Sequence, residues 1–497
     1  MAKGVSAKLM RKLYLSVAVP KFTYGAGIWF RPTFIEGANH SQKGSIGIAK
    51  NLARIQRMAT ISITGAMRTT ATDTLDAHAH LLPVTLLLQK TCHQAALRLS
   101  SLPRHHPLFK HLQHIAKHAG ISRHRTSIHN LIATFHTFPD EIETVDTIHR
   151  PKNLGSIAYE PHIAIDKAKA IREHNDLRDE IMIYTDGSAH DGGVGAAAIL
   201  YRTGKEPRAL TFHLGSDKHH TVYEAEIVGL TLAAKLLMSE AQLTSPVSIL
   251  IDNKAAIQSG ASSLTTAGSY YLIDKFIRMT RIIKNTCKAQ DIDLQLTVRW
   301  IPGHAGIPGN EEADEKAKKA AEGRRHSSPS EELPRYLRHG PLPHSISALK
   351  QWHQKALMDR WKDQWKLSPR YARAKIIDAS MPSDKFLKLI DTLPKNQTSI
   401  YTQLRTRHVP LNHHLHRIGK SDTPYCAACP GKDETIYHYL FDCPQYARER
   451  HILANALRRK ATSIGYILTS DKATRPLMQY INGSARFKPV LGEIPID

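Results

Sequence analysis

Residues 181–188 read Ile-Met-Ile-Tyr-Thr-Asp-Gly-Ser, an apolar run that stops at a carboxylate and a turn dipeptide. Ile181, Ile183 and Tyr184 suit a buried strand, and Asp186-Gly187-Ser188 marks its end. Outward from there, a glycine-punctuated apolar run at 194–201 predicts a second strand, and 209–214 a third. Val222–Met238 has helical spacing through Ile227, Leu230, Ala234 and Leu237. Val247–Ile251 is a short β-branched strand ending at Asp252. Residues 253–260 and 269–287 read as helical, 294–301 alternates as a strand should, and 310–322 closes as a helix. This order predicts one α+β domain over 180–322, with linkers at 151–179 and 323–345. The second linker opens with Gly-Arg-Arg-His-Ser-Ser-Pro-Ser, a composition that favours exposed chain.

Four acids of this domain fall where the pattern places element edges. Asp186 and Asp252 follow strands; Glu226 and Asp314 sit early in helices. Strand ends and helix starts line one rim of a sheet, and acids gathered there repel one another unless a multivalent cation neutralises them. Hard oxygen ligands favour Mg²⁺ or Mn²⁺. Two such ions about 4 Å apart can clamp a phosphodiester, which is phosphoryl-transfer chemistry. Gly303-His304-Ala305-Gly306 is a loop able to hold an imidazole near a leaving group. Taken singly, Glu226 and Asp314 also fit the charge preference of a helix start, and His304 is one of 30 histidines. Only the set carries chemistry. Glu224 competes with Glu226 but lies about 200° around the helix from it.

The domain resembles the type 1 ribonuclease H domain found at the C-terminal end of non-LTR retrotransposon polyproteins. The resemblance rests on Tyr184-Thr185-Asp186-Gly187-Ser188, Tyr223-Glu224-Ala225-Glu226-Ile227, Ile251-Asp252-Asn253, and Trp300-Ile301-Pro302-Gly303-His304-Ala305-Gly306 running into Asn310-Glu311-Glu312-Ala313-Asp314. It implies a mixed five-stranded sheet flanked by helices. It also implies two Mg²⁺ ions held by Asp186, Glu226, Asp252 and Asp314, His304 as the mobile-loop histidine, and hydrolysis of the RNA strand of an RNA–DNA hybrid. Gly187, Ser188 and Asn253 are substrate-contact candidates by adjacency. A non-catalytic binding protein with the same fold is the alternative. A DNA-strand transferase would use three acids without the Gly-His-Ala-Gly loop.

Charge extends the reading to the flanks. The chain carries a formal +24, and residues 1–150 and 326–497 hold +12 each while 181–325 holds only +1. Basic flanks suit a polyanion, because each neutralised phosphate releases counterions. Residues 1–150 are expected to be mostly helical, with Ile48, Leu52, Ile55 and Met58 at helical spacing. Within them, Ala53-Arg54-Ile55-Gln56-Arg57, Ile63-Thr64-Gly65-Ala66 and Leu82-Pro83-Val84 resemble the region that follows the polymerase palm in the same elements. No Tyr-x-Asp-Asp or Phe-x-Asp-Asp pair precedes them, so no DNA synthesis is expected.

Residues 346–497 read as a basic helical region in which Trp352, Trp361 and Trp365 belong to a helix core. There Cys426-x2-Cys429-x8-His438-x4-Cys443 offers three thiols and an imidazole, a set that suits tetrahedral Zn²⁺. Reduced cysteines packed in a small core are the alternative. The motif resembles the C-terminal Cys/His motif of these retrotransposons. Arg448 and Arg450, just after it, are candidates for contact with single-stranded nucleic acid. Five cysteines make no disulfide scaffold, residues 1–21 lack a secretory signal, and no run is long and apolar enough to span a bilayer. An intracellular protein, nuclear or cytoplasmic, is expected.

Overall fold

The computed structural model describes residues 5–32, 34–36, 41–118, 125–145, 157–261 and 269–494. Their contacts divide into two compact units, His93–His353 and a second made of Met1–Cys92 with Gln354–Asp497. The stretch 1–150 therefore contributes to both.

The first unit is built on a mixed sheet. Its strands are β1 (Glu160–His162), β2 (Ile181–His190), β3 (Gly193–Arg202), β4 (Arg208–Ser216), β5 (Val247–Ile251) and β6 (Leu296–Trp300). The sheet order is β1-β6-β5-β2-β3-β4. The β2-β3-β4 half is antiparallel, and β2, β5, β6 and β1 run parallel. Interspersed with these strands in the chain are the helices α1 (Lys167–Asp176), α2 (Val222–Met238), α3 (Lys254–Ala261), α4 (Tyr270–Ala289) and α5 (Pro308–Ala321), while Phe109–His118 and Ser127–Phe135 precede them in the same unit.

Alternation along the strands divides the core. Ile181, Ile183, Ile249, Ile251 and Val298 share one cluster with the apolar residues of α2 and α4, whereas Tyr184, Ile199 and Leu250 share another with Ile307 and Ala313 around α5. Covered on both faces, β5 is buried at every position and reads as a continuous apolar run. α2 is buried over most of its circumference, which explains why its sequence is apolar on nearly all sides. Each such large side chain contributes about 1.5–3 kcal/mol of transfer free energy.

The sheet has six strands where five are expected. The additional β1 and helix α1 lie in the stretch read as a linker at 151–179; residues 151–156 are outside the described residues. Three residues containing Pro161 give no periodicity to read, and α1 is marked only by its cap, where Asp166 accepts the Lys169 N–H at 2.8 Å. The stretch 323–345 is a strap. Ser327 and Ser328 accept the N–H groups of His213 and Thr211 on β4 through their hydroxyls, each at 2.9 Å, and Leu333, Leu337 and Leu342 join the main core. Its polar composition hid three anchors spaced too widely to form a pattern.

In the second unit the helix Ile46–Thr64 is present, but it buries Ala49, Gln56, Thr60 and Ile63 while Ile48, Ile55 and Met58 are exposed. A polar network sets this orientation. The Gln56 amide accepts from the Tyr14 hydroxyl and donates to Asp76, both at 2.9 Å, and burial pushes the Asp76 carboxyl up to about 7. Trp361 and Trp365 are core residues as expected, whereas Trp352, in the first unit, is 44% exposed beneath the Lys218 ammonium. No helix among the described residues is long and apolar enough to cross a membrane.

Candidate active site and Cys/His cluster

Asp186 projects from β2, Glu226 from the second turn of α2 and Asp252 from the end of β5. Their carboxylates converge until one oxygen of each lies within 4.8 Å of the others. The approach depends on Gly187. A Cβ there would collide with the backbone nitrogen of Glu226, so only glycine lets α2 lie this close to the strand carrying Asp186. Gly187→Ala is expected to cost about 1–3 kcal/mol by overpacking, read as a lower urea midpoint. An unchanged midpoint would refute the contact.

Glu224 is not part of the cluster. It closes the capping box of α2, accepting the Thr221 N–H at 2.7 Å while the Thr221 hydroxyl accepts the Glu224 N–H at 3.2 Å. Of the two glutamates, Glu226 is the one whose carboxylate joins Asp186 and Asp252.

The electrostatics are those of carboxylates crowded together out of water. Burial first, then the charges of Asp252 and Asp314, push the Asp186 carboxyl up to about 7. Glu226 is raised well above the usual carboxylate range by burial and by Asp186. Asp252 is raised by burial, with His304 opposing the rise. Asp186 Oδ2 and Glu226 Oε2 are buried with no hydrogen-bond partner. Unsatisfied buried carboxylate oxygens are costly, and a hard divalent cation is the ligand such oxygens accept.

Asp314 stands at the border of this group. Its carboxylate receives the Lys318 ammonium at 2.6 Å, one helical turn along α5. His304 sits on an exposed loop in the left-handed region at φ 49°. The preceding Gly303 packs so closely on Asp252 that a Cβ would lie 2.5 Å from its Oδ2. The structure thus brings Asp186, Glu226 and Asp252 into one group, with Asp314 and His304 beside it.

The substrate-contact candidates divide. Ser188 faces the surface of β2, and Asn253 bonds the Glu226 side chain and accepts the Ala256 N–H at 3.2 Å. Sequence reading missed two neighbours of the acids. Trp300 Nε1–H donates to the Asp252 carbonyl at 3.0 Å while the Lys254 ammonium lies over its ring, fixing the strand end that carries Asp252. Lys318 is the other, and its i,i+4 spacing from Asp314 was the available signal.

Residues 178–322 match the RNase H family. This segment has the RNase H fold. Among solved structures, RNase H1 from Halobacterium salinarum is 14% identical (TM-score 0.22), and alignment covers 29% of this chain and 97% of that one. LC11-RNase H1, isolated from compost by a metagenomic approach, is 21% identical (TM-score 0.23), covering 29% and 96%. The same enzyme in complex with an RNA/DNA hybrid is 19% identical (TM-score 0.22), covering 29% and 99%. At those scores the assignment rests on the family match and on the sheet itself. No curated protein matches the chain.

The second unit holds the Cys/His cluster. Cys426 and Cys429 lie on a hairpin, Tyr425–Cys426 pairing with Cys429–Asp433 across a bulge. His438 opens a π-helical turn, and Cys443 follows it. One ligand atom from each lies within 4.8 Å of the others. Cys443 Sγ is 3.8 Å from Cys426 Sγ and 3.9 Å from Cys429 Sγ, close to the edge of about 3.8 Å in a tetrahedron of 2.3 Å metal–sulfur bonds. His438 Nε2 is buried and unpartnered. These four residues fit a metal ion. Arg450, a candidate for nucleic-acid contact, donates to the Cys443 carbonyl at 2.7 Å through Nη2. Arg448 is exposed, whereas Tyr446 is buried.

Proposed function

We propose that residues 178–322 hydrolyse the RNA strand of RNA–DNA hybrids, leaving 5′-phosphate and 3′-hydroxyl ends. The observation that carries this reading is the convergence of Asp186, Glu226 and Asp252, with two buried oxygens unpartnered, on the rim of an RNase H domain. Asp186, Glu226, Asp252 and Asp314 would hold two Mg²⁺ ions, with Mn²⁺ as a substitute. When bound, the ions supply the Lewis acidity that activates water and neutralises charge on the departing oxygen. Asp186 and Glu226, held by β2 and α2, fix where the scissile phosphate rests. His304, exposed on its loop beside Asp252, is placed to carry a proton to the leaving 3′-oxygen. Lys318 neutralises Asp314 while the acids await their cations.

We assign Zn²⁺ to Cys426, Cys429, His438 and Cys443, in keeping with the thiol-rich donor set and the sulfur spacing. The resemblances in both flanks support a derivative of a non-LTR retrotransposon protein, acting inside the cell on RNA and DNA.

The test is cleavage of a hybrid labelled on its RNA strand, with and without Mg²⁺, beside duplex RNA and duplex DNA. Cleavage of the hybrid alone, dependent on the metal, is the expected result. His304→Ala should lower kcat about a hundredfold and leave KM little changed. Intact binding with no cleavage in either Mg²⁺ or Mn²⁺ would establish the non-catalytic alternative.

A further inference from the structure

A cavity of about 280 Å³ opens beside the Cys/His cluster, in the second unit. Arg373, Arg407 and Arg417 stand around it, His413 and His414 line it, and Val409, Leu411, Ile436 and Ile464 form its apolar wall. The three arginines are exposed. Among the described residues none has a carboxylate within ion-pair distance, and Arg417 reaches only imidazoles, His414 at 2.9 Å and His408 at 3.4 Å. Of the acids there, Asp433 pairs with the lining His413 at 3.2 Å, and Glu434, which lines the cavity, is already satisfied. Its oxygens accept the Arg486 guanidinium at 2.6 Å and the Asn412 N–H at 2.6 Å.

Like charges crowded without a counter-ion are unfavourable, and the crowding is felt nearby. Burial, followed by the charges of His414, Arg417, Arg373 and Arg370, pushes His408 down to about 4. A bound anion removes that repulsion. Guanidinium forks favour phosphate, which they grip with paired hydrogen bonds. The cavity also carries a stacking surface. Tyr437 is 57% exposed, lines the same cavity and precedes His438 in the chain.

We propose that this cavity is a phosphate subsite for single-stranded nucleic acid, with Arg373, Arg407 and Arg417 gripping one backbone phosphate and Tyr437 stacking on the adjacent base. The inference rests on the preceding reading only in taking nucleic acid as the polyanion. It moves the contact surface from Arg450, whose Nη2 is held by the Cys443 carbonyl, onto arginines with no carboxylate within ion-pair distance among the described residues. Tyr437 directly precedes His438 of the Cys/His cluster in the chain.

The experiment is fluorescence anisotropy of the full chain with labelled single-stranded oligouridylate and oligothymidylate, across a salt series and without added magnesium. The double variant Arg373→Gln/Arg407→Gln should weaken binding about tenfold or more and reduce the salt slope by about 0.7, the amount that one phosphate neutralised on a single strand adds. Tyr437→Ala should weaken binding at least fivefold with the slope unchanged. Arg407→Lys keeps the charge and should keep the slope while losing part of the affinity. Arg448→Gln, an exposed arginine outside the cavity, should have a smaller effect. An unchanged affinity and slope in the double variant, or an equal loss in Arg448→Gln, would overturn the subsite. Hybrid cleavage by the same variants separates the two readings. Normal cleavage with unaltered oligonucleotide binding sinks the subsite alone, and failed cleavage in the parent chain with the binding differences intact sinks the nuclease alone.

Discussion

Asp186→Asn is expected to reduce Mg²⁺-dependent hybrid cleavage about a thousandfold or more and, in the same protein, to raise its thermal stability. The loss of rate follows from removing a charged metal ligand at the centre of the site. The gain in stability follows from the raised carboxyl, at about 7 against an ordinary 3.8. Below pH 4 the group is neutral in folded and unfolded chains alike, so it costs nothing. As pH rises from 4 to 7 the unfolded chain releases its proton more readily, and the folded state is increasingly penalised. Above 7 the penalty is complete, about 1–3 kcal/mol once relaxation and coupling to Glu226 and Asp252 are allowed for. The Asn variant should therefore melt about 3–8 °C higher than the parent at pH 8 in the absence of divalent ions, with almost no difference at pH 4. Added Mg²⁺ should raise the melting temperature of the parent more than that of the variant. Retained cleavage, or a variant that melts lower at pH 8, would remove Asp186 from the proposed site.

Cys443→Ser is expected to abolish zinc binding and to unfold the segment around the Cys/His cluster. Structural zinc sites contribute about 10–16 kcal/mol at neutral pH. Cys443 is fully buried in a core with Tyr439, Tyr446 and Tyr480. Burial pushes its thiol up to about 11, so a thiolate there needs a cation beside it. Metal analysis should find one zinc per chain in the parent and none in the variant, and limited proteolysis should open the segment 420–450 in the variant alone. Cys287→Ser, buried in the other unit, serves as the control and should keep its zinc. A parent protein that purifies without zinc, and whose proteolysis pattern ignores chelators, would return the cluster to ordinary packed cysteines.

Much of this was legible in the sequence because the elements announce themselves. Val222–Met238 and Val247–Ile251 have the bounds their spacing predicts, since both are buried and nearly every position reports apolar contact. Asp252, Glu226 and Asp314 were legible by their place at element edges, whereas Asp186 lies within β2, which runs on to His190 past the turn its Asp-Gly-Ser suggests. What stayed hidden depended on partners distant in sequence. Arg450 looks like a free cation until the carbonyl of Cys443 is found beside it. The exposed stripe of Ile48, Ile55 and Met58 looks like a core face until Gln56 is seen to have drawn the helix round toward Asp76 and Tyr14. The subsite arginines come from three separate segments, and nothing local marks them as neighbours.

The two stretches that composition marks as linkers have a shared effect on the sheet that carries the acids. On one side β1, short and carrying a proline, occupies the outer edge of β6; on the other, Ser327 and Ser328 take up the amides of β4. Unsatisfied strand borders are where chains stick to one another. Both seals lie outside the 178–322 span that defines the family, so a fragment cut to that span would bring all four acids but leave raw borders open to self-association. The smallest well-behaved piece of this domain is therefore expected to extend beyond its family outline, to include both seals.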